Sequence, residues 1–467
     1  MMSATTSAQQ IAARLDRLPR SYYVWTLVGL LSLGGVFEFY DLFFTAYVAP
    51  GLIKAGMFTA QSLGAFSALG LVGAAGFGTF VFATFMGLFV GTIVFGFVAD
   101  RFGRRVVFTY SLLWYSVCTF IMAFQQTGFG VDLWRFIAGI GIGVELVTID
   151  TYIAELIPAG SRGRAYAFNQ FVTFAVVPVV ALLGWLLVPH KPFGLDGWRW
   201  VVLIGSIGAV LIWFIRRGIP ESPRWLANHG RLAEAEAVTA AIEARVAEEV
   251  GTLPPPGPHS AEETGEGSFA EIWQPPYFDR TVMLSVFNFF QTIGFYGFAA
   301  WVPTLLIAKG IHITTSLEYA FIIAIANPIA PLIGTTFADR FERKWQICGA
   351  AFCVAIFMLL FGLQSAGGLI IVFGVLVTLS NNVMSYAFHN YQAELYPTRV
   401  RARAVGFVYS WSRLSAAFAG LMIGFFLHHG GVIAVALFIA ASMGVVIISI
   451  GGFGPRTRGL ALEDINR

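Results

Sequence analysis

Twelve apolar runs, each long enough to cross a bilayer, leave this sequence few ways to fold. They cover about 24–48, 69–97, 106–126, 132–156, 165–188, 199–217, 281–306, 318–338, 345–364, 368–393, 404–427 and 431–453. A helix needs roughly 20 apolar residues to span about 30 Å of hydrocarbon. In that solvent every backbone N–H and C=O must be satisfied internally, so a spanning segment is a helix or part of a closed barrel. The runs are too long and too uniformly apolar for alternating barrel strands. Only 12% of the chain is charged and 57% is hydrophobic, whereas a water-facing surface calls for about a quarter charged. The expected fold is an all-α integral membrane protein of twelve transmembrane helices. A net charge of +3 fits neither a disordered chain nor a nucleic-acid binder working through a basic field. The cysteines Cys118, Cys348 and Cys353 sit in apolar runs and imply no disulfide. The segment after Arg14, Arg17 and Arg20 is too long for a signal peptide, carries Glu38 and Asp41, and lacks a small-residue cleavage site.

Orientation follows from the basic residues. The two ends and alternate loops hold 23 of the 29 Lys and Arg, while the opposite side holds only Lys54, Lys191, Arg199 and Lys309. The positive-inside rule then puts both termini in the cytoplasm of a bacterial-type (inner) membrane. Residues 218–279 form the one long polar insertion, with a helical apolar period at Leu232, Ala235, Val238, Ile242 and Val246. Its acids read as a solvated face. It divides the chain into an N-terminal six-helix bundle, 1–217, and a C-terminal one, 280–467.

The halves repeat. Asp100-Arg101-Phe102 and Arg104 recur as Asp339-Arg340-Phe341 and Arg343, each 239 positions later. At the same offset Tyr152, Glu155, Pro158, Arg162 and Arg164 recur as Tyr391, Glu394, Pro397, Arg401 and Arg403. Two motifs sharing one offset mark a duplicated unit. A weaker echo relates Phe37–Asp41 to Phe287–Gln291, with the acids replaced by amides.

The loop Gly96-Phe-Val-Ala-Asp100-Arg101-Phe-Gly103-Arg104-Arg105 resembles the signature of the major facilitator superfamily. Tyr152 through Arg164, Pro220-Glu221-Ser222-Pro223-Arg224, and the Tyr391–Arg403 copy resemble its sugar-porter branch and the related organic-ion transporters. The resemblance implies two six-helix bundles around a central cavity, with alternating access by rocking of the halves. It also implies a gate of ion pairs made in one state and broken in the other, from Asp100, Arg101, Arg104, Glu155, Arg162, Arg164, Asp339, Glu394 and Arg401. Glu342 departs from the pattern where a glycine is expected, which would weaken the second copy. Topology determinants are the plainer reading of the same charges.

A few charges lie inside the spans, where each is costly and calls for a partner. In proton-coupled sugar porters the arginine matching Arg135 pairs with the aspartate matching Asp41, and protonating that carboxylate would break the pair. A static salt bridge is the alternative. Glu38 and Asp41, three apart, share a helix face; burial and like charge disfavour both being ionised, so one is a candidate proton carrier. Glu145 is a third buried acid, and Asp150 points about 140° away from it around the helix. Gly139 and Gly143, four apart, suit close helix packing.

The substrate-side positions argue against a hexose. Gln170 and Gln291 match glutamines of sugar porters, and Asn288 lies one turn from Gln291. Phe290, Tyr296 and His389, beside Tyr386, stand where further polar or tryptophan positions are expected. A sugar site needs many amides, since an unpaired buried polar group costs about 1–3 kcal/mol. Arg413 lies near mid-membrane and suits a bidentate carboxylate, or else neutralises Glu38, Asp41 or Glu145. The expectation is a proton-coupled symporter of a small organic anion, with aromatic carboxylates as the leading candidates. Asp41, Glu38, Arg135 and Glu145 would handle the proton. Arg413, Gln170, Gln291, Tyr296, Tyr386, His389 and Asn288 would hold the substrate. A carrier of an organic cation, neutral metabolite or sugar, a proton-driven exporter and a non-transporting sensor remain open. The expected partners are a small-molecule substrate, protons and lipid, for a monomer. No cofactor, metal or nucleic acid is expected, and no nucleophile constellation suggests an enzyme.

Overall fold

The computed structural model describes residues 2–58, 76–94, 98–256, 268–329 and 341–457. Regular structure among them is helical throughout. The twelve spans begin with Tyr22–Lys54, Phe77–Val94, Arg104–Met122, Gly128–Leu156 and Ala159–Leu187. After the sixth, the seventh to tenth are Tyr277–Ala299, Ile313–Ala324, Arg343–Leu363 and Gly367–Glu394. The last two form the run Thr398–Phe453, divided at Gly431, whose φ of 65° lies in the region that glycine adopts without steric cost.

Two spans differ from the continuous helices expected. The sixth is made of Gly197–Gly205 and Gly208–Gly218. Its break falls at a Gly-Ser pair, with the Ser206 hydroxyl donating back to the Leu203 carbonyl at 2.7 Å, a recognised cause of kinks. The seventh stops at Ala299 and resumes as Val302–Ala308. Pro303 lacks an N–H and disfavours helical geometry in the residue before it.

Gly139 and Gly143 do serve packing. A Cβ on Gly139 would stand 2.6 Å from the Thr84 carbonyl oxygen, and one on Gly143 2.4 Å from that of Leu88. From the facing helix, a Cβ on Gly87 would stand 2.3 Å from the Phe136 oxygen and one on Gly91 2.2 Å from that of Ile140. The second and fourth spans thus meet backbone to backbone through two small-residue ladders, which gives van der Waals contact where lipid supplies no hydrophobic drive.

The linker helix Leu232–Val250 buries Ala235, Ile242 and Val246 as its period requires. Its acids are not all solvated. Glu243 takes Arg14 at 2.5 Å and Arg17 at 2.7 Å from the N-terminal helix Met2–Asp16. Glu249 accepts from the backbone N–H groups of Tyr22 and Tyr23 at 2.6 and 2.9 Å, where the first span begins. Burial raises the Glu243 carboxyl pKa, but the two arginines outweigh it and hold it below the usual range. Their stabilisation is present at neutral pH and is lost as acid protonates Glu243.

Gly139→Leu should force the second and fourth spans apart, at a cost of about 1–3 kcal/mol or more. A fall in detergent melting temperature is the expected result. Gly349→Leu, where a Cβ meets nothing within 4 Å, should melt like the parent.

Candidate functional site

A cavity of about 240 Å³ lies between the two halves. Its N-terminal wall carries Glu38, Asp150, Asn169 and Gln170, and its C-terminal wall Gln291, Tyr296, His389, Tyr409 and Arg413. Phenylalanines 39, 43, 174, 295 and 388 add an aromatic surface, and Gln392, Thr173, Thr292, Ser385 and Ser412 add further polar groups. The solvent-exposed members Asp150, Gln170 and His389 all lie toward the face that carries the termini and linker. On the opposite side, aromatic contacts join the halves: Phe77 with Trp301 (centroids 5.1 Å apart), Phe82 with Phe418 (5.7 Å) and Trp185 with Phe321 (5.8 Å). The cavity therefore opens to the terminal face and is sealed from the other.

Arg413 is 3% exposed. Its Nη1 donates to the Tyr296 hydroxyl at 3.3 Å and its Nη2 to that of Tyr409 at 3.2 Å, while Nε has no partner. No carboxylate lies within 4.0 Å of it among the described residues. Across the cavity Glu38 is 2% exposed and its Oε1 is also unpartnered. Two neutral phenols cannot discharge a guanidinium, and the Glu38 and Asp150 carboxyls share the cavity with Arg413 and feel its charge without closing a contact ion pair among the described residues.

Other expected site residues divide. Gln170, Gln291, Tyr296 and His389 line the cavity. The His389 Nδ1 pairs with the Ser385 carbonyl at 2.7 Å, which leaves Nε2 for a ligand. Asn288 and Tyr386 do not line it. Asn288 shares the stripe of Gln291 and Phe295 one turn further along, but its amide is spent on the Leu284 carbonyl at 2.9 Å. Tyr386 comes three positions before His389, and its ring stands outside the lining set. Sequence reasoning missed Tyr409, although it precedes Arg413 by one helical turn and therefore shares its face. It also left Asp150 unplaced, and Asp150 faces the cavity.

Asp41 and Arg135 form the expected pair, at 2.5 Å and with both side chains buried. The rest of the guanidinium is satisfied by Thr84 at 2.9 Å, the Asp41 carbonyl at 2.7 Å and Thr45 at 2.8 Å, and it lies 4.6 Å over the Phe44 ring. Thr119 donates to the other Asp41 oxygen at 2.8 Å. Glu145 is wholly buried, with both carboxyl oxygens unpartnered.

The repeated motifs build repeated bonds. Arg104 pairs with Glu155 at 2.9 Å, and Arg343 pairs with Glu394, each 239 positions on. Arg162 Nε donates to the Ile157 carbonyl and Arg401 Nε to that of Tyr396, both at 3.1 Å. Gly103, at φ 98°, holds the Glu221 carboxylate against the N–H groups of Arg104 and Arg105, at 2.9 and 3.2 Å. In the second copy Glu342 has φ −58° and accepts from the Thr457 N–H at 3.0 Å, and the ion pair still forms. Arg162 also reaches Asp16 at 3.2 Å. Arg101 and Arg164 are exposed. Asp100 lies on the short helix Val98–Phe102, its side chain outside the described set, and Asp339 lies outside the described residues.

Residues 27–467 match the family model described as sugar (and other) transporter. The chain belongs to that family, within the major facilitator superfamily. It is 32% identical over 448 residues to a Bacillus subtilis (strain 168) protein named for metabolite transport, YyaJ, covering 96% of this chain and 95% of that one. It is 28% identical to the niacin transporter NiaP of Acinetobacter baylyi, covering 97% and 99%. The fold matches the xylose transporter XylE from E. coli in a partially occluded inward-open conformation, with a TM-score of 0.71 at 22% identity over 94% of this chain and 100% of that one. This family member is thus a multi-pass membrane transporter rather than an enzyme.

Breaking the Asp41–Arg135 pair from one side leaves a buried charge, which costs about 3–5 kcal/mol. Asp41→Leu should therefore lower detergent melting sharply. The double variant Asp41→Leu/Arg135→Met should recover much of the loss.

Proposed function

We propose that this transporter carries a small organic anion, an aromatic carboxylate, together with a proton, into the cytoplasm across the bacterial cytoplasmic membrane. The observation that carries the reading is Arg413: a buried guanidinium facing the cavity with hydroxyl partners, an unpartnered Nε and no carboxylate within 4.0 Å among the described residues. A ligand carboxylate would supply the missing charge in a bidentate pair, and the phenylalanines would cover an aromatic ring. The relationship to a protein named as a niacin transporter supports the same chemistry.

Asp41 and Arg135 are the coupling pair in this account. Protonating Asp41 removes its charge from Arg135 and frees the first span from the fourth, while Glu38 and Glu145 serve as further proton sites. The pairs Arg104–Glu155 and Arg343–Glu394, with Arg101, Arg162, Arg164 and Arg401, form the gate on the terminal face, which is cytoplasmic in this reading. A monovalent anion moving with one proton is electroneutral, so uptake draws on the pH gradient alone.

The test uses proteoliposomes with niacin, benzoate, xylose and a primary amine as candidate substrates. The acids should accumulate under an inward proton gradient, and Arg413→Ala should weaken their binding by at least about thirtyfold. Amine or sugar uptake unaffected by Arg413→Ala would contradict the anion reading. Gradient-driven accumulation that survives Asp41→Asn would remove the coupling assignment.

A further inference from the structure

Between the cavity and the Asp41–Arg135 pair, the N-terminal half holds polar atoms that no protein group satisfies. Glu38 Oε1, Asn169 Oδ1, both carboxyl oxygens of Glu145 and the Tyr115 hydroxyl are all buried without a hydrogen bond of ordinary geometry, the nearest approach to one being the Tyr115 hydroxyl facing the Glu145 carboxyl. Tyr115 and Glu145 are each 0% exposed. Buried polar groups are nearly always bonded to protein or to ordered water. A cluster of five orphans around one place is therefore a site for water, which bridges such groups with two to four hydrogen bonds.

The cluster has direction. Glu38 lies at its mouth, in the cavity wall. Glu145 comes next, with Glu38 and the Tyr115 hydroxyl among the groups nearest it. Its Oε1 would lie only 3.2 Å from a Cβ on Gly34, one turn before Glu38. Tyr115 faces Glu145 from the third span. Thr119, one turn further along that span and on the same face, donates to Asp41 at 2.8 Å. The titratable and charged groups around the chamber are Glu38, Tyr40 and Asp41 from the first span, Tyr115 and Cys118 from the third, and Arg135 and Glu145 from the fourth. Asp150 and Arg413 face Glu38 at its mouth.

We propose that Tyr115 and Glu145 line an internal hydrated proton path that joins the substrate cavity to the Asp41–Arg135 pair. The proposal rests on the proton-coupled reading above and adds its route. A proton leaves the Asp41 carboxyl, and Arg135 neutralises the carboxylate that remains. Each hydroxyl or water on the way accepts one proton and gives up another, so none is left charged. The proton arrives on Glu145, then Glu38, and leaves through the cavity to the terminal face. Tyr115 acts here as a positioning and relay group and touches no substrate.

The experiment compares two activities of the full chain in proteoliposomes, using radiolabelled niacin or benzoate. Accumulation under a pH gradient needs net proton passage, whereas substrate exchange at equilibrium does not. Tyr115→Phe and Glu145→Gln should each reduce accumulation about tenfold or more and leave exchange within about twofold, and Glu145→Asp should restore part of the coupling. Folded yield and melting are followed alongside. Parallel loss of both activities in well-folded variants assigns Tyr115 and Glu145 to structure and overturns the path. Asp41→Asn uncoupled with both path variants fully coupled also overturns it, and leaves the coupling reading intact. A wild type that accumulates neither acid overturns both.

Discussion

A charge inside the membrane must find a partner or face water, and that constraint organises this protein. Asp41 and Arg135 meet it by complete mutual satisfaction, every guanidinium nitrogen being engaged. The glycine ladders between the second and fourth spans supply one of those partners, because Thr84 and Arg135 lie one turn ahead of Gly87 and Gly139. Arg413 meets the same constraint differently. Its hydrogen-bond partners are phenols, and the Glu38 and Asp150 carboxyls face it across a cavity without a contact ion pair. The contrast separates a group whose pairing is complete from one that keeps an unpartnered Nε in a cavity wall.

The repeated motifs show how duplication preserves chemistry and lets geometry drift. Arg104–Glu155 and Arg343–Glu394 are the same bond at one offset. Around them the first copy turns on Gly103 and captures Glu221, whereas the second begins at Glu342, which needs no left-handed backbone and holds the chain near Thr457 with its own carboxylate. The departure that suggested a weaker second copy is an alternative anchor.

Much of this was legible in the sequence because hydrocarbon is an unforgiving solvent. Span length, the repeat offset and the packing role of Gly139 and Gly143 follow from rules that leave few alternatives; the same rules demand a partner for Arg135, and the family resemblance points to Asp41. What was not legible depends on helical phase and on breaks. Asn288 shares the stripe of Gln291, but its amide bonds the Leu284 carbonyl within its own helix, and Tyr386 stands about 100° round the helix from the lining residue Ser385. Tyr409 was passed over although the same phase argument, run from Arg413, points to it. The kink at Gly205-Ser206 and the stop before Pro303 had local signals that a count of apolar residues conceals. The attachment of Arg14 and Arg17 to Glu236 and Glu243 joins residues more than two hundred positions apart, beyond the reach of any pattern along the chain.

The cavity's opening to the terminal face, its unpaired cation and the buried acids beside it make a single claim: a carboxylate and a proton cross together. The most direct measurement is proton movement itself, followed with a pH indicator in weakly buffered proteoliposomes when an aromatic carboxylate is added outside. The account predicts alkalinisation of the outer medium in step with uptake, abolished in Asp41→Asn. Carboxylate uptake with no accompanying proton movement would contradict it.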